Sequence, residues 1–311
     1  MSTHGTALTV IGGYLGSGKT TVINRLLSAA QGLRIALVVN DFGDINIDAE
    51  LIAARDGETI ALANGCICCT LADGLAAVLT DLRDRAESID HVVIEASGVS
   101  DPVKIGHYGL AFGFDVQGVI VLADAEQVQQ QAVDKYVGET VVRHLQGADL
   151  LVLTKTDLVD AAGLGAVQSW LRDLVPAARV VPASHGALPV SILLGPHAAP
   201  SDHRDPASAD VGSPGDEHAQ FESWSFACET PLARADVETF VRGLPATVLR
   251  AKGFVSLDED PGRTYLLQMV GRRWTLTPGP YPGGTTRLVV IGLPGSIDRN
   301  LFEDVLRGTK A

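Results

Sequence analysis

The segment 13–20 constrains the fold of this chain more than any other. It reads Gly-Tyr-Leu-Gly-Ser-Gly-Lys-Thr, a complete match to the pattern GxxxxGK[ST]. The apolar run 8–11 precedes it, and a helical pattern over residues 21–30 follows it. Glycines here let backbone N–H groups turn toward phosphate oxygens, and the helix adds the positive end of its dipole. The sequence therefore predicts a phosphate-binding loop between a strand and a helix, against the alternative of a plain glycine-rich turn.

Individual residues of this loop have distinct expected roles. Lys19 supplies a point charge that would stabilise a transferring phosphoryl group, which makes it a catalytic candidate. The Thr20 hydroxyl would bind Mg²⁺. The full set of nucleotide-binding candidates in the loop and the helix start is Gly13, Gly16, Ser17, Gly18, Lys19, Thr20 and Thr21.

Hydrophobic periodicity predicts the architecture around the loop. Short apolar runs alternate with longer helical stretches such as 72–86. The runs lie at residues 8–11, 35–39, 92–94, 116–122 and 150–153. Strands that are hydrophobic throughout are typical of a parallel sheet that is covered on both faces. Residues 1–195 are therefore predicted to form an α/β domain of the P-loop NTPase type, with a mainly parallel sheet flanked by helices.

The composition changes after this domain. Residues 196–219 contain no Leu, Ile, Phe or Trp, so burial cannot offset the entropy of ordering them, and we predict a flexible linker. Residues 220–311 show apolar periodicity again and predict a smaller α+β domain. Its strands are expected at 221–226, 249–257, 265–270, 274–276 and 288–291, and its helices at 232–242 and 296–307.

Charge and hydropathy exclude two classes of partner. The chain has 37 acidic and 24 basic residues and a net charge of -13, so its surface repels nucleic acid. No apolar run reaches the roughly 18 residues of a membrane-spanning helix. Residues 1–7 show no secretory pattern, so we expect a cytoplasmic protein that binds neither nucleic acid nor a membrane.

The segment 154–157 indicates which base the nucleotide carries. It reads Thr-Lys-Thr-Asp after an apolar strand, close to the Asn-Lys-x-Asp pattern of guanine-specific P-loop proteins. Asp157 would accept hydrogen bonds from N1–H and the 2-amino group of guanine, and adenine offers neither. Lys155 would pack its stem along the base, and Thr154 replaces the usual Asn. The alternatives are a helix cap by Asp157 and an ATP-using P-loop kinase or ATPase.

A second acidic motif follows the strand that ends near residue 94. Glu95 directly follows this strand, where P-loop proteins place a carboxylate toward Mg²⁺ or its waters, and it is the second catalytic candidate. Gly98, three residues later, would offer its N–H to the γ-phosphate. The alternative is a turn with a solvated glutamate.

Three clustered cysteines predict a transition-metal site. Cys66, Cys68 and Cys69 place soft thiolates within about one turn of chain. A closed structural zinc site takes four protein ligands, so three thiolates suit a metal that is handed on, or a fourth ligand comes from elsewhere. Fourth-ligand candidates are an incoming partner and Asp41, Asp44 or Asp48. Small buried cysteines and a vicinal disulfide are the alternatives.

Other acidic, histidine and cysteine residues have weaker signals. Asp41 lies in an acidic segment where P-loop GTPases carry a switch, so it is a candidate for Mg²⁺ or its waters, against the alternative of solvated loop acids. We expect Cys228 to pack in the second domain. We expect the linker histidines, His197, His203 and His218, to be solvated rather than metal-bound.

Five motifs, and their order along the chain, resemble those of the CobW family of P-loop GTPases. They lie at residues 13–20, 40–44, 64–69, 95–102 and 154–157. The second domain also looks like the C-terminal module of that family, through residues 244–245 and 249–254. The resemblance implies GTP hydrolysis coupled to delivery of a transition metal, with the three clustered thiolates as the metal site. It implies Zn²⁺ first and Co²⁺ next as the metal. Two departures are that Asp41 and Asp44 stand where the family usually carries Glu and that histidines are sparse.

We therefore predict a GTP-hydrolysing metallochaperone that uses Mg²⁺. Its expected partners are GTP and GDP, the transition metal, a client metalloprotein or cofactor-synthesis enzyme, and a second copy of the chain in a homodimer. No arginine finger is evident, so we expect slow turnover until a partner, a metal or a second subunit completes the site. A non-catalytic, metal-responsive GTP switch that holds its metal permanently is the rival from a different class.

Overall fold

The computed structural model describes residues 5–30, 32–39, 58–61, 71–176, 178–196 and 221–308. Described residues up to Leu194 belong to one compact unit, and residues 221–308 belong to a second. The domain boundaries at residues 195 and 219 stay a prediction, and nearly all of the expected linker lies outside the described residues.

The first unit is built on a parallel sheet. In the part of the chain that the structure describes, this sheet has seven strands in the order β3-β2-β4-β1-β5-β6-β7, and every paired neighbour runs parallel. The strands are β1 (Ala7–Gly13), β2 (Ile35–Val39), β3 (Glu58–Ala61), β4 (His91–Glu95), β5 (Asp115–Asp124), β6 (Leu150–Thr154) and β7 (Arg179–Pro182). The predicted fold class is confirmed.

Helices connect these strands. They are α1 (Lys19–Ala29), α2 (Leu71–Asp84), α3 (Pro102–Ala111), α4 (Val128–Val133), α5 (Gly138–Gln146), α6 (Ala161–Leu174) and α7 (Val190–Leu194). The central strands β1, β4 and β6 are buried along almost their whole length, as expected for strands covered on both faces. Because parallel strands end at one edge, the loops after β1, β4, β5 and β6 lie next to one another at the carboxyl edge of the sheet.

The second unit has an antiparallel sheet with the strand order β11-β10-β9-β12-β8. Its strands are β8 (Glu222–Cys228), β9 (Val248–Leu257), β10 (Asp260–Val270), β11 (Arg273–Pro282) and β12 (Thr286–Gly292), and its helices are α8 (Arg234–Gly243) and α9 (Arg299–Leu306). Along β8 the buried and exposed residues alternate, so one face of this edge strand packs inward. That face joins both helices in an aromatic core of Trp224, Phe226, Phe240 and Phe302.

All of the predicted strands and helices appear. Most of the strands are longer than the sequence indicated. Two edge strands of the first sheet, β3 and β7, were missed. Cys228 packs in the second core and its thiol donates to the Thr230 carbonyl oxygen, as expected of a packed cysteine. Across the residues that the structure describes, none of the helices is long and apolar enough to cross a membrane.

Candidate nucleotide-binding site

The phosphate-binding loop joins the central strand to the first helix as the sequence predicts. β1 ends at Gly13 and α1 begins at Lys19, so Gly16, Ser17 and Gly18 form the turn between them. Gly18 caps the helix with φ 88°, a left-handed conformation that a side chain disfavours. Thr20 and Thr21 lie in the first turn of the helix.

Lys19 points back into its own loop. Its side chain is almost fully buried, and Nζ donates to the carbonyl oxygens of Gly13 at 3.0 Å and Tyr14 at 3.4 Å. A buried ammonium that two carbonyls hold at the centre of the loop is positioned for a phosphate group. The backbone of the loop therefore holds the Lys19 ammonium group in place.

Gly98 lies against the phosphate-binding loop, and Glu95 lies beside the strand that leads into it. Glu95 ends β4, pairs with Ile11 of β1, and is only 2% exposed, so the alternative of a solvated glutamate is wrong. A Cβ on Gly98 would stand 2.7 Å from Cδ2 of Leu15 and 2.9 Å from its backbone nitrogen. The structure therefore places Glu95 opposite Ile11, two residues before the loop, and places Gly98 against the loop itself, where the close approach requires glycine.

Thr154 contacts the loop directly. Its hydroxyl lies 2.8 Å from the Ser17 carbonyl oxygen and 3.1 Å from the Ala123 carbonyl oxygen, so it is shared between two acceptors. The Thr154 side chain is buried. It thus ties the phosphate-binding loop to β5 and β6, a contact that sequence reasoning missed because it treated this position only as a missing amide.

Lys155 forms an ion pair that the sequence did not reveal. Its Nζ lies 2.6 Å from Oδ2 of Asp124, the last residue of β5, which is only 2% exposed. Oδ1 of the same carboxylate accepts from the Glu126 backbone N–H at 2.9 Å. Lys155 has φ 55°, a left-handed conformation that is uncommon outside glycine. The ion pair therefore fixes a residue whose backbone is strained.

Asp157 contacts the loop after β7. Its Oδ1 accepts from the His185 backbone N–H at 3.0 Å and from the Ser184 hydroxyl at 3.4 Å. The His185 N–H is the main cause of a lowered Asp157 pKa, so this carboxylate stays ionised at neutral pH. The helix-cap alternative for Asp157 is wrong, because Asp160 caps α6 by accepting from the Gly163 N–H at 2.7 Å.

A small cleft behind the loop holds two buried polar side chains that sequence reasoning missed. Ser17, His144 and Asp124 line it together with Tyr14 and apolar residues of β5 and α5. Within the described residues, neither the Ser17 hydroxyl nor either ring nitrogen of His144 has a hydrogen-bond partner of good geometry. Burial is the main cause of a lowered His144 pKa, so the ring is neutral near pH 7.

The predicted transition-metal residues lie in segments outside the described residues. Cys66, Cys68, Cys69 and Asp41 lie outside the described residues, as do the other acids of that segment and the linker histidines. Across the described ranges, no group of three or more His, Cys, Asp or Glu side chains gathers into a metal site. The metal assignment therefore stays a prediction.

The parallel sheet, the lysine-centred loop and the adjoining carboxylate together define a P-loop nucleotide-binding protein. A model of the CobW/HypB/UreG nucleotide-binding domain matches residues 7–182, and a model of the cobalamin synthesis protein cobW C-terminal domain matches residues 221–310. The chain belongs to the CobW/HypB/UreG family, and the resemblance seen in the motifs is confirmed.

Similar proteins include two curated relatives that are each called zinc chaperone CobW. The one from a Sinorhizobium species is 33% identical, with 92% of each chain covered. The one from Pseudomonas aeruginosa is 32% identical, covering 92% of this chain and 87% of the relative. A solved structure, the Zn(II)-bound YjiA GTPase from E. coli, is 21% identical, covers 99% of this chain and 100% of that chain, and aligns with a TM-score of 0.47.

Proposed function

We propose that this protein is a GTP-hydrolysing metallochaperone that binds a transition metal and delivers it to a client protein or a cofactor pathway. The main support is its similarity over nearly the whole chain to relatives called zinc chaperones. Zn²⁺ is the favoured cargo for the same reason, and Co²⁺ is the next candidate. Expected partners are GTP and GDP, the client and a second copy of the chain.

The arrangement of the carboxyl edge supports guanine as the base. Asp157 is ionised and lies on the same turn as Thr154, whose hydroxyl contacts the phosphate-binding loop. An ionised carboxylate accepts from both N1–H and the 2-amino group of guanine, whereas adenine would leave its charge unpaired. The turn from Thr154 to Asp157 would then contact the base through Asp157 and support the phosphate-binding loop through Thr154.

Hydrolysis would use residues on the loop and on β4. Water attacks the γ-phosphorus, and the bond to the bridging oxygen of GDP breaks, which releases inorganic phosphate. Lys19 would stabilise the negative charge of the transferring group, and the buried Glu95 would orient a water molecule. The hydroxyl of Thr20 and the carboxylate of Glu95 are hard oxygen donors that fit Mg²⁺, and Asp41 is a further donor candidate. Bound Mg²⁺ would neutralise charge on the β- and γ-phosphates.

The thiolates of Cys66, Cys68 and Cys69 would hold the cargo metal. They lie in the sequence between the acidic segment with Asp41 and the strand that ends at Glu95. Contacts with the γ-phosphate on either side would change the metal site, so metal affinity would depend on the bound nucleotide. By reciprocity, the metal would change GTP affinity by the same factor.

Metal affinity in two nucleotide states tests this function. The reduced protein is titrated with Zn²⁺ and Co²⁺ against a chelator, with GDP and with a non-hydrolysable GTP analogue plus Mg²⁺. We expect affinities that differ by about tenfold or more, which is about 1.4 kcal/mol of coupling. Cys68→Ala should abolish the coupling, and the control Cys228→Ala should keep it. Equal affinities in both states would instead favour the metal-responsive switch with a permanently held metal.

Base recognition is tested separately by exchanging one functional group. Asp157→Asn should lose affinity for GTP and gain affinity for xanthosine triphosphate, because its amide can donate to the 2-oxo group of xanthine. Equilibrium binding of fluorescent GTP, ATP and xanthosine triphosphate analogues measures both changes. Equal binding of ATP and GTP by the unsubstituted protein would support the kinase or ATPase alternative.

A further inference from the structure

The turn after β6 is held by an acid that lies outside the guanine motif. Asp124 is buried at the end of β5, and its neighbour across the strand pair is Thr154. This register places the Asp124 carboxylate beside the next residue, Lys155. The contact joins residues 31 positions apart, so neither residue indicates it in the sequence.

Both oxygens of this carboxylate have partners. Oδ2 contacts the Lys155 ammonium at 2.6 Å, and Oδ1 accepts from the Glu126 N–H at 2.9 Å. The Lys155 side chain keeps 34% of its surface exposed, so it remains accessible while its ammonium group is bound to Asp124. Asp124 thus fixes the direction of the lysine without covering it.

The turn is attached on both sides of this ion pair. Before Lys155, the Thr154 hydroxyl contacts the Ser17 carbonyl oxygen in the phosphate-binding loop. After it, Asp157 accepts from the His185 N–H. Lys155 itself adopts φ 55°, which costs backbone free energy and persists only when contacts hold it. Loss of its ionic partner would therefore allow the backbone between Thr154 and Asp157 to relax.

We propose that Asp124 is a specificity-determining positioning residue of the nucleotide site, which holds Lys155 and thereby keeps Asp157 aligned with the 2-amino edge of guanine. This inference rests on the proposed guanine specificity. Asp124 does not itself contact the base. Its effect reaches the nucleotide through the backbone of the turn.

The ratio of GTP affinity to inosine triphosphate affinity tests this role, because inosine lacks only the 2-amino group. We expect the unsubstituted protein to prefer GTP by about tenfold or more, the value of one hydrogen bond to a charged group. Asp124→Asn should lower that ratio to about threefold or less. Lys155→Met removes the same ion pair from its more exposed side and should lower the ratio equally, and the double variant should show no further loss.

Asp149 provides the matched control. It stands at the opposite end of the same strand pair, where its carboxylate accepts from the Val119 N–H at 2.8 Å. Asp149→Asn should therefore weaken the sheet but keep the ratio of the unsubstituted protein. A folded Asp124→Asn or Lys155→Met variant with an unchanged ratio would overturn the inference. Failure of the unsubstituted protein to prefer GTP over ATP would instead overturn the guanine specificity itself.

Discussion

The carboxyl edge of the first sheet buries polar side chains, whereas the core of the second unit buries aromatic rings. At the carboxyl edge, Glu95, Asp124 and Thr154 are buried polar side chains. In the second core, Trp224 and Phe302 pack ring against ring with centroids 5.6 Å apart. A buried polar group contributes little net stability but fixes geometry, whereas buried aromatic area contributes stability directly.

The two regions should therefore respond differently to substitution. Substitutions of the residues that contact the phosphate-binding loop should change nucleotide binding as well as stability. Substitutions in the aromatic core should change stability alone, because its rings pack against one another within the second unit.

The largest expected effect is on stability in the aromatic core. Phe302→Ala removes a buried ring that packs edge-on against Phe240 at 5.4 Å, and it should lower the free energy of unfolding of the second unit by about 3–5 kcal/mol. Hydrogen exchange of β8 and α8 peptides measures this loss. Tyr281→Ala removes a largely exposed ring that packs edge-on against Phe254 outside this core, so it is the control and should cost about 0.5–1.5 kcal/mol. A large fall in GTP affinity for Phe302→Ala would contradict the expectation that this core affects stability and not nucleotide binding.

Gly98→Ala should act mainly at the carboxyl edge. Its new methyl group would meet the Leu15 backbone nitrogen at 2.9 Å, so the phosphate-binding loop must shift at a cost of about 1–3 kcal/mol. GTP affinity from equilibrium titration should fall by about tenfold or more. Gly74→Ala, in α2 with open space around it, should instead stabilise the protein by about 0.5–1 kcal/mol. Unchanged nucleotide affinity in Gly98→Ala would disprove the close-contact argument.

Thr154→Val tests the contact between β6 and the loop. The substitution keeps the shape but removes the donor that serves the Ser17 and Ala123 carbonyl oxygens, at a cost of about 1–2 kcal/mol. We expect weaker GTP binding together with a lower melting temperature. Thr80→Val is the control, because its hydroxyl only contacts the Ala76 carbonyl oxygen one helical turn away. Equal effects of the two variants would refute a specific role for Thr154.

The smallest expected effect concerns pH and His144. Burial lowers the pKa of His144 in the folded protein, so the unfolded chain binds this proton first as the pH falls through about 6.5. Stability should therefore be unaffected by this group above pH 7 and decrease below pH 6.5, by at most about 1.4 kcal/mol per pH unit. Lys19 and Arg143 oppose the charged ring, and Asp101 favours it.

Unfolding free energies of His144→Met at several pH values measure that contribution. The variant should lose the part of the acid dependence that comes from this residue, and the exposed control His107→Gln should keep the full dependence. An identical pH profile for His144→Met and the unsubstituted protein would show that the ring is not the titrating group.

The sequence predicted the interior of the sheet better than its edges. β1, β4 and β6 are continuous apolar runs, and these were found. β3 and β7 are the two edges; each has four residues, and β7 ends in a proline. Edge strands pair on one side only, so they need less hydrophobic character and leave a weaker signal.

The sequence predicted those parts of the candidate site whose residues lie together in one short motif. The loop 13–20 and the pair Glu95 and Gly98 carry local patterns, and the structure brings them together. The Asp124–Lys155 ion pair depends on the register of β5 against β6, and no local pattern specifies a register between distant strands. The cleft with Ser17 and His144 was missed because the loop, β5 and two helices form it together, and these are distant in the sequence.

The position of β1 has a consequence for the synthesis of this protein. β1 lies at the centre of the sheet, yet its neighbours β4 and β5 begin at residues 91 and 115. On the ribosome, β1 leaves the exit tunnel long before any strand that it pairs with, and Thr154 follows later still. At ordinary translation rates the roughly 80 residues between β1 and β4 take about 4–16 s, during which an apolar central strand has no native neighbour. The carboxyl edge of the sheet, with Thr154 at the end of β6, is therefore complete only after about half of the chain has been made.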